Sequence, residues 1–171
     1  MRYSKIRKYD VTNGPGVRTT IFVSGCTHNC EDCFNKELQD FEHGDLWTDK
    51  TEDEFVKYVS NPMVVGINVL GGEPLQQTMD DSLVKLLKRI KKEFPEKTIW
   101  LWTGDLFEEA MENDKKKKII EYVDVLIDGP FKKELRNIKL KYRGSENQRV
   151  IDVQETLKKG EIVNYKVKEN V

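Results

Sequence analysis

Short runs of β-branched and aromatic residues alternate along this chain with longer segments of helical periodicity, and this alternation constrains its fold most. Five such runs are predicted to form strands, at residues 18–24, 66–70, 98–103, 123–127 and 148–153. Helical patterns occupy residues 51–59, 83–90 and 106–122. Because a helix that connects two strands normally leaves them parallel, we predict an α/β fold with about five mainly parallel strands.

Four unusual loops directly follow predicted strands. They are a loop at residues 25–33, here called the cysteine loop, and the segments Gly71-Gly72-Glu73-Pro74, Thr103-Gly104-Asp105 and Asp128-Gly129-Pro130. The carboxyl ends of parallel strands share one edge of the sheet, where α/β proteins bind ligands. We therefore expect these loops to meet at one site.

The cysteine loop holds the only three cysteines of the chain, Cys26, Cys30 and Cys33, in a C-x3-C-x2-C pattern. Thiolates are soft metal ligands, and an odd number of cysteines fits disulfides poorly. A [4Fe–4S] cluster held entirely by protein takes four thiolates, so three would leave one iron able to bind a small molecule. The pattern favours such a cluster. The alternatives are a Cys3His zinc site that includes His28 and three buried structural cysteines without a metal. Structural zinc sites usually take ligands from two separated pairs, which this chain does not have.

Composition argues against several classes of partner. The chain has 171 residues, with 29 Lys and Arg against 30 Asp and Glu, so it has no overall attraction to nucleic acid or membranes. Its apolar runs are too short to cross a bilayer. Reduced cysteines fit a cytoplasmic protein, and the length fits one domain over residues 1–171.

The remaining loops each allow two interpretations. Gly71 and Gly72 are ordinary turn residues or let a ligand approach the backbone, with Glu73 or nearby peptide groups meeting a cationic amine. Asp128 either closes a turn or accepts a hydrogen bond from a ribose hydroxyl or an ammonium group. In the third loop, a helix cap at Asp105 is the alternative to a ligand contact near Thr103.

The cysteine pattern on the first strand's exit loop, followed by Gly71-Gly72-Glu73-Pro74, resembles the radical S-adenosylmethionine superfamily. Further segments resemble one family within it, the glycyl-radical activating enzymes that act on anaerobic ribonucleoside-triphosphate reductase. They are Asn13-Gly14-Pro15-Gly16-Val17-Arg18, Val23-Ser24-Gly25-Cys26, Cys33-Phe34-Asn35, Leu101-Trp102-Thr103-Gly104, Val125-Leu126-Ile127-Asp128-Gly129 and Arg143-Gly144-Ser145-x-Asn147-Gln148. The resemblance covers a core of about residues 10–152 and leaves out an extension at 153–171.

The resemblance implies a truncated, open partial (β/α) barrel of the radical S-adenosylmethionine type. Cys26, Cys30 and Cys33 would hold three irons of a [4Fe–4S] cluster, and the fourth iron would bind the amino and carboxylate groups of S-adenosylmethionine. The residues expected to contact this cofactor are Asp32, Cys33, Phe34, Gly71, Gly72, Glu73, Thr103 and Asp128. Many superfamily members have an aromatic residue just before the third cysteine, where this chain has Asp32.

The resemblance also implies the reaction and its partners. One electron, from a flavodoxin-type or similar donor, would cleave S-adenosylmethionine to methionine and a 5′-deoxyadenosyl radical. That radical would take a hydrogen atom from a glycine of the reductase. A radical enzyme that acts on a small molecule and a zinc-binding interaction module without catalytic activity are the two alternatives.

Overall fold

A computed structural model describes residues 1–33 and 35–167 of the protein. Within them, seven strands form one sheet in the order β3-β1-β2-β4-β5-β6-β7. The strands are β1 (Arg2–Asp10), β2 (Val17–Val23), β3 (Asp45–Leu46), β4 (Val64–Gly71), β5 (Thr98–Trp102), β6 (Val125–Asp128) and β7 (Arg149–Asp152). The helices are α1 (Asp49–Val59), α2 (Ser82–Glu93), α3 (Phe107–Ala110), α4 (Asp114–Ile120) and α5 (Val153–Lys159).

The four central strands, β2, β4, β5 and β6, are parallel, and the flanking strands β1, β3 and β7 are antiparallel to their neighbours. The predicted α/β fold with a mainly parallel sheet is thus confirmed for the centre of the sheet. The estimate of about five strands was too low, because β1 and β3 were missed. β1 is rich in charged residues and mostly half-buried, and β3 has only two residues, both exposed.

One face of the sheet carries the main apolar core. Side chains that alternate along β2, β4 and β5 point to this face, among them Ile21, Ile67 and Ile99, which have no exposed surface. All five helices pack their apolar residues here. Burying a large aliphatic side chain contributes about 1.5–3 kcal/mol, so this face stabilises the sheet whose edge carries the loops.

The opposite face of the sheet is polar and aromatic. The guanidinium of Arg18, which is fully buried, donates to Asn68 Oδ1 at 2.7 Å and to the carbonyl of Thr98 at 2.9 Å. It also lies 5.4 Å from the centre of the Trp100 ring. Strand and loop residues, rather than helices, form the small apolar cluster around Trp100. This face therefore adjoins the loops at the strand ends without a helix across it.

The predicted helix at residues 106–122 is wrong in one respect, because the structure breaks it in two. α3 ends at Ala110, and α4 begins after Asn113. The side chain of Asn113 accepts hydrogen bonds from the backbone N–H groups of Lys115 and Lys116, which makes it a new N-cap. The sequence did not reveal this cap, because Asn113 lies within a run of charged residues that was read as one continuous helix.

Candidate functional site

The loops that follow the central strands converge on one pocket of about 410 Å³. The cysteine loop contributes its three thiols and His28. The other loops contribute Gly71, Gly72, Glu73, Thr103, Gly104 and Gly129, and the connection between β6 and β7 contributes Phe131, Tyr142, Arg143, Gly144 and Gln148. The expected meeting of four loops at one edge is what the structure shows, although the fourth loop reaches the pocket through Gly129 and not through Asp128.

The backbone of the cysteine loop requires particular residues. Gly25, Asn29 and Asp32 have positive φ angles of 110°, 47° and 54°. Glycine adopts such angles freely, and asparagine and aspartate tolerate them better than other residues do. The loop is also held from outside, since the Thr27 backbone N–H donates to Gln76 Oε1 at 2.9 Å and Gln76 Nε2 donates to Thr27 Oγ1 at 2.8 Å. The loop therefore has a defined shape around the thiols.

The three thiols are free, half-buried and exposed to the same pocket. Four tetrahedral thiolate ligands on one zinc ion lie about 3.8 Å apart, as Zn–S bonds of about 2.3 Å require. Among the described residues, neither the three sulfurs nor a set that joins them to His28 has all its ligand atoms within 4.8 Å of one another. In an iron–sulfur cluster each thiolate binds a different iron, so the sulfurs need not lie as close together as they do around one zinc ion.

Burial raises the pKa of the Cys26 thiol to about 11, and the negative charge of Glu73 adds to the effect. Metal binding would displace the thiol proton. The three thiols that line one pocket are the donor set that an iron–sulfur cluster takes, so the residues present fit such a cluster.

Glu73 joins three of the loops. Its side chain is almost fully buried, at 1 % exposure. Oε1 accepts hydrogen bonds from the Thr103 hydroxyl at 2.7 Å and from the Leu75 N–H at 3.0 Å, and Oε2 accepts one from the Gly104 N–H at 2.7 Å. These donors engage both oxygens and hold the carboxylate in one position at the edge of the pocket.

His28 completes this arrangement from the cysteine loop. Its Nε2 atom lies 2.9 Å from Glu73 Oε2 and 3.1 Å from Asp105 Oδ1. Neither contact has the angle of a good hydrogen bond, so the ring forms an ion pair with both carboxylates. Asp105, followed by Glu73, raises the pKa of His28 to about 10, although burial opposes this. The ligand atoms of His28, Glu73 and Asp105 lie within 4.8 Å of one another, so His28 joins the cysteine loop to the second and third loops.

The glycines of the second loop line the pocket and also pack closely against protein backbone. A Cβ atom on Gly72 would lie 2.6 Å from the Leu38 carbonyl oxygen and 2.7 Å from that of Gly25. Gly71 has a φ of 114°, and its Cβ would lie 2.6 Å from the Val23 carbonyl oxygen. The close approach predicted from the sequence exists, but its partner is the backbone that leads into the cysteine loop.

Of the other predicted cofactor contacts in the described residues, Thr103 and Cys33 line the pocket, whereas Asp128 and Asp32 do not. The Thr103 hydroxyl lines the pocket but donates to Glu73. The Asp128 carboxylate is fully buried and pairs with Arg149, with distances of 3.0 and 2.5 Å. Asp32 is exposed and pairs with Lys133 at 2.7 Å, whereas Cys33 lines the pocket. Phe34 lies outside the described residues.

Sequence reasoning missed several residues of the site. His28 was considered only as a zinc ligand, and no pattern in the chain pairs it with Glu73 and Asp105, which lie 45 or more positions away. Trp102 was not predicted to belong to the site, yet it lines the pocket, and its Nε1 donates to the Tyr142 carbonyl at 2.7 Å. Arg143 and Gly144 had been used only as part of the family resemblance.

Comparison with known proteins agrees with this site. A sheet edge with three convergent thiols is typical of an iron–sulfur protein, and the family profile described as "4Fe-4S single cluster domain" matches residues 12–151. The class of the protein is therefore that of single-cluster [4Fe–4S] domains.

Named relatives specify the family further. The chain is 41 % identical over 150 residues to the anaerobic ribonucleoside-triphosphate reductase-activating protein of Enterobacteria phage T4. The aligned region covers 88 % of this chain and 93 % of the phage protein. It is 37 % identical over 150 residues to the proteins of the same name from Vibrio cholerae and Escherichia coli K12, covering 86 % of this chain and 96 % of each. The chain belongs to the family of anaerobic ribonucleoside-triphosphate reductase-activating proteins, which are activating enzymes. None of the helices formed by residues 1–33 and 35–167 has the length and apolar character to cross a membrane.

Proposed function

We propose that this protein activates an anaerobic ribonucleoside-triphosphate reductase by reductive cleavage of S-adenosylmethionine at a [4Fe–4S] cluster, which leaves a glycyl radical on the reductase. One observation carries the proposal. The chain has only three cysteines, and all three line a pocket that also contains the Gly71–Glu73 loop. Three thiolate ligands leave one iron of a [4Fe–4S] cluster free for a small molecule. The names of the relatives support the reductase as the target.

In this proposal Cys26, Cys30 and Cys33 hold the cluster. When bound, the cluster supplies the electron that breaks the sulfonium C–S bond of S-adenosylmethionine, and a flavodoxin-type donor would replace that electron. The pocket volume of about 410 Å³ falls within the range of small-molecule sites. The protein binds the cluster and S-adenosylmethionine, orients them toward the substrate and excludes water, as in other cofactor enzymes.

The peptide groups of Gly71, Gly72 and Glu73 are proposed to meet the amino end of S-adenosylmethionine. The Glu73 carboxylate acts indirectly, because it holds the Thr103–Gly104 segment and His28 in place. Cys33, together with Asp32 and Phe34, is assigned to the adenosine side. Thr103, which lines the pocket, is proposed to contact the cofactor. Asp128 is proposed to act indirectly, by holding Arg149 beside the pocket.

The open sheet supports access by a protein substrate. The sheet ends at β3 on one side and β7 on the other, and these strands do not pair with each other in the described structure. We propose that this is the truncated, open partial barrel of the radical S-adenosylmethionine type, formed by one domain over residues 1–171 in the cytoplasm. A reductase loop that carries the glycine would enter from the face without helices.

Anaerobic reconstitution tests the proposal. The reconstituted protein is expected to be brown, to contain about four irons per chain and to release 5′-deoxyadenosine and methionine when it is given dithionite and S-adenosylmethionine. Stoichiometric zinc without iron uptake would contradict it. An iron-loaded protein that cleaves S-adenosylmethionine but transfers no radical to the reductase would favour a small-molecule substrate instead.

A further inference from the structure

Positive charge is concentrated in one segment of this nearly neutral chain. Residues 131–148, here called the strap, connect β6 to β7. They contain six Lys and Arg against two Glu, whereas the whole chain has 29 against 30. Five of the six cationic residues are exposed, namely Lys132, Lys133, Arg136, Lys139 and Lys141. A surface with this excess of positive charge, in which the two glutamates Glu134 and Glu146 are also exposed, attracts acidic partners and raises association rates.

The strap holds these charges in defined positions. At its end, the Gln148 side chain donates to the Gly129 carbonyl at 3.0 Å. Farther along, the Trp102 indole N–H donates to the Tyr142 carbonyl at 2.7 Å and fastens the strap to β5. An ordered surface loses less conformational entropy on binding than a disordered tail does. The strap is therefore suited to recognition.

The strap lies between the cysteine pocket and a second groove. Tyr142, Arg143 and Gly144 line the pocket, and Arg143 also lines a groove of about 590 Å³ that includes Lys139. The opposite end of the strap is also near the site, because Lys133 pairs with Asp32 of the cysteine loop at 2.7 Å. A partner bound to the strap would thus be positioned at the entrance of the pocket.

Two further features indicate a protein partner. Ile138 is 85 % exposed, directly beside Lys139. Binding of a partner over this side chain would remove its apolar surface from water, which favours association. Lys132 and Lys139 form no ion pair with a carboxylate of the described residues, so their charges remain available.

We propose that the strap is the docking surface for the protein substrate, and that the substrate presents to it an acidic segment with an apolar side chain. This inference rests on the proposed function for the identity of the substrate, the cognate anaerobic reductase. Docking here would bring the reductase glycine to the pocket entrance, and hydrogen abstraction needs the reacting atoms about 3–3.5 Å apart.

A charge-reversal experiment tests the docking surface directly. Binding of the reconstituted protein to the purified reductase is titrated for wild type and for the double variant Lys132→Glu/Lys139→Glu. The matched control is Lys88→Glu/Lys92→Glu, which reverses two exposed charges on α2. We expect the strap variant to bind at least about tenfold more weakly and the control to stay within about twofold, as steering by opposite charges predicts. Raising the salt concentration should weaken wild-type binding and have less effect on the strap variant.

Further measurements distinguish a failure of the docking proposal from a failure of the proposed function. Ile138→Ser should weaken binding several-fold without a change in folding, because this side chain is exposed. Cleavage of S-adenosylmethionine without reductase should be equal in all variants. If wild type binds the reductase but cleaves no S-adenosylmethionine, the proposed function fails while the docking surface stands. Equal affinities of wild type and the strap variant, or no wild-type binding at all, would overturn the docking proposal.

Discussion

The Nε2 atom of His28 lies 2.9 Å from Oε2 of Glu73, which joins the loop that carries the three thiols to the loop of adjacent glycines. Glu73 in turn accepts hydrogen bonds from Thr103 and Gly104 after β5. Three of the four loops are therefore tied to one buried carboxylate. A cofactor held between them would depend on Glu73 even though the carboxylate need not touch it.

Glu73→Gln should weaken this junction. The amide keeps one acceptor oxygen and has an NH2 group in place of the other. In one orientation that NH2 group faces the Gly104 N–H and His28, and in the other it faces the Thr103 hydroxyl and the Leu75 N–H. Either way, two donors face each other in a buried site. A buried group that loses its partner costs about 1–3 kcal/mol. We expect the free energy of unfolding of the protein without its cluster to fall by about this amount in urea titrations. Glu54→Gln, an exposed change on α1, should alter it little, and equal effects of the two variants would contradict the role of Glu73.

Gly72→Ala should reduce cluster content as well as cofactor binding. The new methyl group would lie 2.6 Å from the Leu38 carbonyl oxygen and 2.7 Å from that of Gly25, so the cysteine loop has to move. Iron per chain after anaerobic reconstitution is the measurement. Gly160→Ala is the control, because φ is 69° there but nothing lies within 4 Å of the added Cβ. It should cost about 1–2 kcal/mol of stability yet leave iron content unchanged. Normal iron content in Gly72→Ala would show that the loop tolerates the shift.

Replacing each cysteine separately distinguishes a cluster from a zinc site. Cys26→Ala, Cys30→Ala and Cys33→Ala should each abolish the brown colour and the iron content. His28→Ala should retain a cluster, because Nε2 of His28 faces Glu73 and Asp105 instead of the thiols. Iron analysis with visible spectra provides the readout. A colourless His28→Ala protein that folds normally would mean that the imidazole is a ligand after all.

Asp10 should make stability depend on acid pH. Burial alone would raise its pKa, but hydrogen bonds from Asn13, Thr20 and Thr12 outweigh this and hold the pKa well below the usual range. Arg7 is the nearby cation, with Nη1 at 3.4 Å. Because the folded pKa is depressed, the stabilisation is fully present above the unfolded pKa of about 4 and is lost as the pH falls toward the folded value. Asp10→Asn should flatten the decline in unfolding free energy below about pH 4, and an unchanged decline would contradict this.

The sequence predicted the centre of the fold better than its edges. The apolar runs of β4, β5 and β6 are buried on both faces of a parallel sheet and are easily recognised. β1 was missed because its charged residues lie at the flank of the sheet, half in solvent. Periodicity carries little information about such strands, since water and the neighbouring strand both satisfy their polar groups.

For the site, too, some features could be predicted from the sequence and others could not. The three cysteines and the glycine loop were identified because local spacing specifies them. The ion pair between His28 and Asp105 was not, because two loops far apart in sequence form it only after folding. The hydrogen bonds from Thr103 and Gly104 to the Glu73 carboxylate were not predicted either, since they join loops that are distant in sequence. Tertiary hydrogen bonds thus decide which polar residues remain available to a ligand.

Electron paramagnetic resonance of the reconstituted protein, mixed without oxygen with its reductase, reductant and S-adenosylmethionine, can detect the radical transfer itself. We expect a glycyl-radical doublet on the reductase, together with release of 5′-deoxyadenosine and methionine. The doublet should be absent when the radical-bearing glycine of the reductase is replaced by alanine, and also when any one of Cys26, Cys30 and Cys33 is replaced. A protein with about four irons per chain that cleaves S-adenosylmethionine but yields no such doublet on the reductase would contradict the account.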